Sequence, residues 1–244
     1  MSRTSKRNQR TSANQEPQAP EAPPVSRFNR IGIFVGAVVA LLLAFAGAAL
    51  FYKGEKAQSA QTTVAKNQPA LASDQSPTFG NPDAKVHIVE FFDPACETCA
   101  AFFPHVKTLM LENPDKIRLS LRHVTFHKGS EHAVRVLEAA RGQGKYLPTL
   151  EALYASQDQW AVNHEVRADL VWNALGRVRL DLERLRKDIG GADIVQRMER
   201  DMADARALGV TKTPEFFVNG RPLPRFGLEE LQSLVKEELR GAYP

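Results

Sequence analysis

Twenty-two consecutive residues without a charge, IGIFVGAVVALLLAFAGAALFY at positions 31–52, constrain this chain more than any other feature. As a helix the run rises about 33 Å, enough to cross roughly 30 Å of hydrocarbon. A helix packed on a globular core would keep a polar face, and this run has none. One transmembrane helix is therefore expected. Arg3, Lys6, Arg7, Arg10, Arg27 and Arg30 precede it against only Glu16 and Glu21, while Lys53 and Lys56 flank Glu55 after it. The positive-inside rule then places the amino terminus in the cytoplasm and the remaining 190 or so residues outside the membrane. A cleaved signal peptide is the alternative, and Ala46-Gly47-Ala48 offers small residues for it, although the leader and the apolar run are both long for a signal. Either reading exports the rest of the chain.

The formal charge of +4 is consumed by that leader. From residue 53 onward 26 basic and 26 acidic residues cancel, so no nucleic-acid partner is expected. With 43% apolar and 25% charged residues in 244, the composition is that of a globular protein.

Residues 1–30, with Pro17, Pro20, Pro23 and Pro24 among polar neighbours, have too little apolar material to repay ordering and are expected as a disordered cytoplasmic tail. Residues 53–76, rich in Ala, Gln, Ser, Thr and Lys, suit a flexible tether. The folded domain is expected over 77–244. It opens with a turn at Gly80-Asn81-Pro82-Asp83 and a buried strand over 85–92 (KVHIVEFF), followed by a helix over about 96–112 and an alternating strand over 117–124 (IRLSLRHV). A strand, helix, strand unit implies a parallel pair with a right-handed crossover. Residues 130–208 read as almost entirely helical, punctuated by Gly142, Gly144, Gly176, Gly190 and Gly191. Strand character returns at 215–218, Asn219-Gly220 signals a hairpin, and a last helix covers about 228–239.

The chain has two cysteines, in Cys96-Glu97-Thr98-Cys99, directly after a strand and at the first turn of a helix. Unpaired helix N–H groups and the macrodipole stabilise a thiolate there, which makes Cys96 the candidate nucleophile and Cys99 the resolving thiol. A zinc site lacks a second ligand pair, since the six histidines (87, 105, 123, 127, 132 and 164) are scattered. A purely structural bridge across two residues would close almost no loop, and two buried structural thiols would be odd in an exported domain.

The segment KVHIVEFFDPACETCAAFFPHV resembles the active-site segment of the DsbA family of thioredoxin-fold thiol-disulfide oxidoreductases, and GVTKTPEFFVNGRPL (209–223) resembles that family's cis-proline segment. The block between them, including LPTLEALYASQDQW, is similar to the family's inserted helical domain. Over about 77–240 the resemblance implies an α/β thioredoxin-like fold with an all-helical insertion over about 130–208, here preceded by one transmembrane helix. It implies a redox-active Cys96–Cys99 disulfide with no other cofactor and no metal. Thr213 and Pro214 match the cis-proline site that binds extended substrate, and Glu90 matches the buried acid that exchanges a proton with Cys99. Partners implied are exported proteins bearing thiols or disulfides and a membrane redox partner, at a bacterial inner membrane with the catalytic domain periplasmic.

The best-known oxidases of the family carry Pro-His between the cysteines, where this chain has Glu97 and Thr98 as the redox-tuning pair. A carboxylate beside Cys96 disfavours the thiolate, so a weaker oxidant is expected. Thr213 looks more like the isomerase and reductase branches, which leaves the direction of electron flow open. Two other functions compete: a membrane-tethered chaperone holding copper on the two thiolates, and a dedicated reductase for one envelope partner. Trp160, Trp172, Phe102, Phe103, Phe216 and Phe217 read as core or groove-lining residues, and His127 and His132 as helix-end or surface residues rather than catalysts, with nothing in the sequence to place them at the thiols.

Overall fold

The protein is described from a computed structural model, over residues 27–71, 73–163 and 165–244. It divides into two compact units, one ending at Glu55 and the other spanning Lys56–Pro244. The expected tail lies outside the described residues as far as residue 26. Helix α1 (Arg27–Leu71) takes in the whole apolar run, and its described side chains there, 32–48, are exposed, with Phe34, Leu41 and Phe45 each at least 70% so. Among the described residues no helix is long and apolar enough to cross a membrane.

Where a flexible tether was expected over 53–76, the chain is helical through Leu71. Its last turns belong to the second unit and pack within it: Leu71 is buried, and Asn67 Nδ2 donates to the Gly220 carbonyl at 3.3 Å. Apolar burial and one hydrogen bond thus order a segment whose composition alone favours flexibility.

The second unit is built on β1 (Thr78–Gly80), β2 (Val86–Phe92), α2 (Glu97–Glu112) and β3 (Ile117–His123). The helical block follows: α3 (Ser130–Arg141), α4 (Tyr146–Ala155), α5 (Gln157–Trp160), a short hairpin of β4 (Ala161–Val162) and β5 (Glu165–Val166), α6 (Ala168–Ala174), α7 (Leu182–Asp188) and α8 (Ala192–Leu208). Strands β6 (Glu215–Val218) and β7 (Arg221–Pro222) and helix α9 (Leu228–Ala242) close it. The main sheet runs β1-β3-β2-β6-β7, with β2 and β3 parallel and every other pair antiparallel. This is a thioredoxin-like α/β fold with the helices of 130–208 inserted between β3 and β6.

The two faces of β2 explain its central place. Val86, Ile88 and Phe92 enter the larger core with α2, α9 and the inserted helices, whereas Val89 and Phe91 pack on the other face with Ala205 and Leu71. A strand alternates faces, so Glu90 falls on the side of Ile88, Phe92 and both cysteines. Helix α2 meets that face through Cys99, Phe103, Val106 and Leu109, spaced at three and four. Burying the three larger of these contributes about 1.5–3 kcal/mol each.

Three features depart from the expectations. The turn read at 80–83 begins one residue inside β1, which pairs with β3; at Gly80 (φ 91°) a Cβ would stand 2.5 Å from the Ile117 carbonyl oxygen. A strand of three residues has too few side chains to show a period. Strand β3, expected to alternate, is buried at six of seven positions because α8 covers its second face. There Arg122 is enclosed by Asp201, Asp204 and the Phe91 ring. The β4–β5 hairpin interrupts the block read as helical, turning at Asn163 with φ 53°.

Candidate active site

The loop after β2, Asp93-Pro94-Ala95, delivers Cys96 to the N-cap of α2 with φ −79° and ψ 116°. In this position a side chain faces the open N–H groups of the first turn. Cys96 Sγ accepts the Cys99 N–H at 3.4 Å and lies 3.4 Å from the Thr213 carbonyl oxygen. Hydrogen bonding from Cys99, assisted by Thr213 and by the Thr98 backbone and opposed by burial, brings the Cys96 thiol down to about 6. Cys99 is fully buried, and burial together with the neighbouring Cys96 pushes its thiol well above the usual range. Both cysteines are in the free thiol form. One exchangeable sulfur and one protected sulfur follow from a single turn of helix.

Glu90 is 1% exposed, and its Oε2 has no hydrogen-bond partner. Burial, with the Cys96 charge adding, raises its carboxyl to about 8. A protonated acid at neutral pH on the thiol side of β2 is therefore available, and when ionised its charge adds to the rise of the Cys99 thiol. No ion pair accounts for it among the described residues. Glu97 and Thr98 are exposed to solvent at the start of α2.

The sequence reading missed Asp93 and gave His127 no place in the site. Asp93 is fully buried; Oδ1 accepts the Ala95 N–H at 2.9 Å, and Oδ2 accepts the N–H groups of Phe126 and His127 and the Ser130 hydroxyl at 2.7–3.0 Å. His127 Nδ1 stands at ion-pair distance, 3.0 Å, from the same oxygen. His127, which nothing in the sequence placed near the thiols, is thus clamped to the active-site loop. The signal lay in an aspartate three residues before Cys96, but which downstream loop it would bind is a tertiary fact.

Opposite Cys96 the Thr213–Pro214 peptide bond is cis. Beside it Phe102 of α2 stacks on Phe216 of β6 at 5.8 Å and on Phe226 at 5.1 Å, and Lys212 Nζ lies 5.5 Å from the Phe226 ring. Phe226 remains 45% exposed. Trp160 is fully buried in the core, and Trp172 is partly buried against the same core. Among the described residues no three His, Cys, Asp or Glu side chains are grouped to hold a metal.

The family model described as thioredoxin matches residues 72–237. The chain belongs to the thioredoxin family. Within this family it is similar to a thioredoxin-like oxidoreductase from Silicibacter pomeroyi, with a TM-score of 0.61, 29% identity, and coverage of 70% of this chain and 96% of that one. DsbA-type thiol-disulfide exchange proteins stand among its further structural matches and share the thioredoxin-like fold. Among curated relatives, disulfide bond formation protein D of Bacillus subtilis is 26% identical over 200 residues, covering 78% of this chain and 84% of the relative. The Na(+)/H(+) antiporter NhaA of Herminiimonas arsenicoxydans is 31% identical over 199 residues, 79% of this chain but 30% of the antiporter. The chain therefore spans less than a third of the length of that relative.

Proposed function

We propose that this thioredoxin-family protein is a thiol-disulfide oxidoreductase acting on exported proteins through the Cys96–Cys99 pair. The observation that carries the proposal is the asymmetry of the two thiols, one acidic at the N-cap of α2 and one buried with a raised pKa. In the oxidising direction a client thiolate attacks Cys96 Sγ, the Cys96–Cys99 bond breaks, and Cys99 departs with the bonding pair and takes a proton. Glu90, protonated below about 8, is the acid suited to give it. A second client thiolate attacks the client sulfur of the mixed disulfide, releasing Cys96 as a thiolate and leaving the client oxidised by two electrons. The reducing direction runs these steps backward. Thr213 and Pro214 offer backbone to an extended client peptide, and Phe102 and Phe226 offer it an apolar ledge.

The anchor belongs to the same proposal: residues 31–52 cross the inner membrane once, residues 1–30 stay in the cytoplasm, and the catalytic domain lies outside. Its support is the charge-free length of the run and the basic leader before it. Tethering raises the effective concentration of membrane-held clients and of a membrane redox partner.

The experiment is the reduction potential of the full chain against glutathione, read by alkylation of the two thiols. A reversible two-electron couple that Cys96→Ser abolishes is the expected result. A potential toward about −120 mV would make it a disulfide donor, and one near about −270 mV a reductase. No reversible couple would overturn the reading.

A further inference from the structure

We propose that the cavity between the end of α1, the start of β2 and β3 and the β6–β7 turn is a site for a small oxyanion, a carboxylate or a phosphate, held by Arg118. It lies on the face of the sheet opposite Glu90 and the cysteines, and it does not depend on the thiol chemistry.

Arg118, Ser120 and Arg122 alternate along β3 and share the face that carries His87, Val89 and Phe91 of β2. The two arginines of this row are treated differently by the fold. Arg122 is fully buried, pairs with Asp201 and Asp204, and donates to the Ala70 carbonyl at 3.0 Å. Arg118, one helical end away from those acids, has no carboxylate at ion-pair distance among the described residues, and its Nε is shut from solvent with no acceptor. A buried donor on a charged group is costly to leave unpaired, and a ligand oxygen would remove that cost.

Arg118 lines a cavity of about 550 Å³ together with Leu71, Ser73, Asp74, His87 and Asn219. His87 brings no charge to it. Burial, with the Arg118 charge adding, takes its imidazole down to about 4, and its Nε2 is engaged with the Ser120 hydroxyl at 2.8 Å. The Asn219 amide is also occupied, accepting the His87 N–H and donating to Glu238. Arg118 is therefore the one cation among the residues lining the cavity. The one acid there, Asp74, is exposed and forms no ion pair with it, so the guanidinium is left without a counter-charge.

A guanidinium offers parallel N–H groups to two oxygens at once, a fit that carboxylate and phosphate share and a spherical halide lacks. The wall opposite the sheet is the end of α1, held by Leu71 and by the Asn67 bond to Gly220. An anion bound to Arg118 favours the state in which that wall is in place.

The test titrates the full chain in detergent with sodium acetate and, separately, with sodium phosphate, sodium chloride holding the ionic strength fixed. Calorimetry reads binding, and amide exchange reads residues 67–71. One saturable site per chain, with slowed exchange over 67–71, is the expected result. Saturation by acetate alone assigns the ligand to the carboxylates, by phosphate alone to the phosphates, and by both to oxyanions generally. R118K keeps the charge without the fork and should bind about tenfold or more weakly, and R118Q should not bind. D74N leaves Arg118 in place and removes the neighbouring negative charge, so it should bind about threefold more tightly. Chloride matching either oxyanion, the absence of saturable binding, or an R118Q chain that binds like the unmodified one would each overturn the proposal.

Discussion

The backbone N–H of Cys99 points at Cys96 Sγ from 3.4 Å while the Cys99 sulfur is itself shut away from solvent. One residue thus acidifies its partner and stays protected. At pH 7 about nine-tenths of Cys96 is expected as thiolate, from a thiol at about 6. A small alkylating agent should label Cys96 and spare Cys99, with the rate rising through that midpoint. Cys99→Ser should accumulate a mixed disulfide with client, because nothing remains to resolve it, and mass spectrometry would show the adduct on Cys96. Equal labelling of the two thiols would contradict the arrangement.

Glu90 trades stability for a proton. Its carboxyl is raised to about 8 in the fold against an ordinary value of 4.5, so the native state holds a proton that the unfolded state loses above 4.5. Its contribution to stability therefore falls as pH rises from 4.5 to 8 and levels off beyond. Glu90→Gln should be close to neutral for stability at pH 4 and stabilising at pH 8.5 by a few kcal/mol, read by urea unfolding at the two values. The same substitution should slow client exchange by about tenfold or more. A variant as pH-sensitive as the parent would show that another group carries the effect.

Asp93 accepts four hydrogen bonds, one within the active-site loop and three that join that loop to the segment from Phe126 to the start of α3. Asp93→Ala leaves buried N–H groups unpaired and should cost about 2–4 kcal/mol, with Asp93→Asn recovering part of it. Chemical denaturation of the full chain gives the difference. Amide exchange should quicken at Phe126 and His127 before the sheet is affected.

Phe226 should matter to clients and little to folding. Its ring is 45% exposed over Phe102, so truncation removes contact area beside Thr213–Pro214 without opening a cavity. Phe226→Ala should lower kcat/KM for a peptide client about fivefold or more while leaving reduction of a small disulfide unchanged. Equal losses on both substrates would point to a disturbed active site.

Much of this molecule was legible from local signals. The apolar residues of 85–92 form the central strand, Asn219-Gly220 turns the β6–β7 hairpin with φ 48° and 84°, and Cys96 caps a helix that starts at Glu97, where the cysteines were read at a helix's first turn. Each of these depends on neighbours in sequence. Strand β1, the burial of Arg122 and the helical end of α1 were not legible, because each is ordered by a partner far along the chain: β3, α8 and the β6–β7 turn.

The same division runs through the active site. The order of residues by itself determined that two thiols one turn apart would sit at a helix start, with an acid on the same face of the preceding strand, since helix and strand periods fix both relations. Only the tertiary structure decided that Thr213 would meet Cys96, that Glu90 would be buried with Oε2 unpartnered, and that Asp93 would hold His127. Those facts depend on which surfaces pack together, and packing of distant segments is chosen by the whole core rather than by any local pattern.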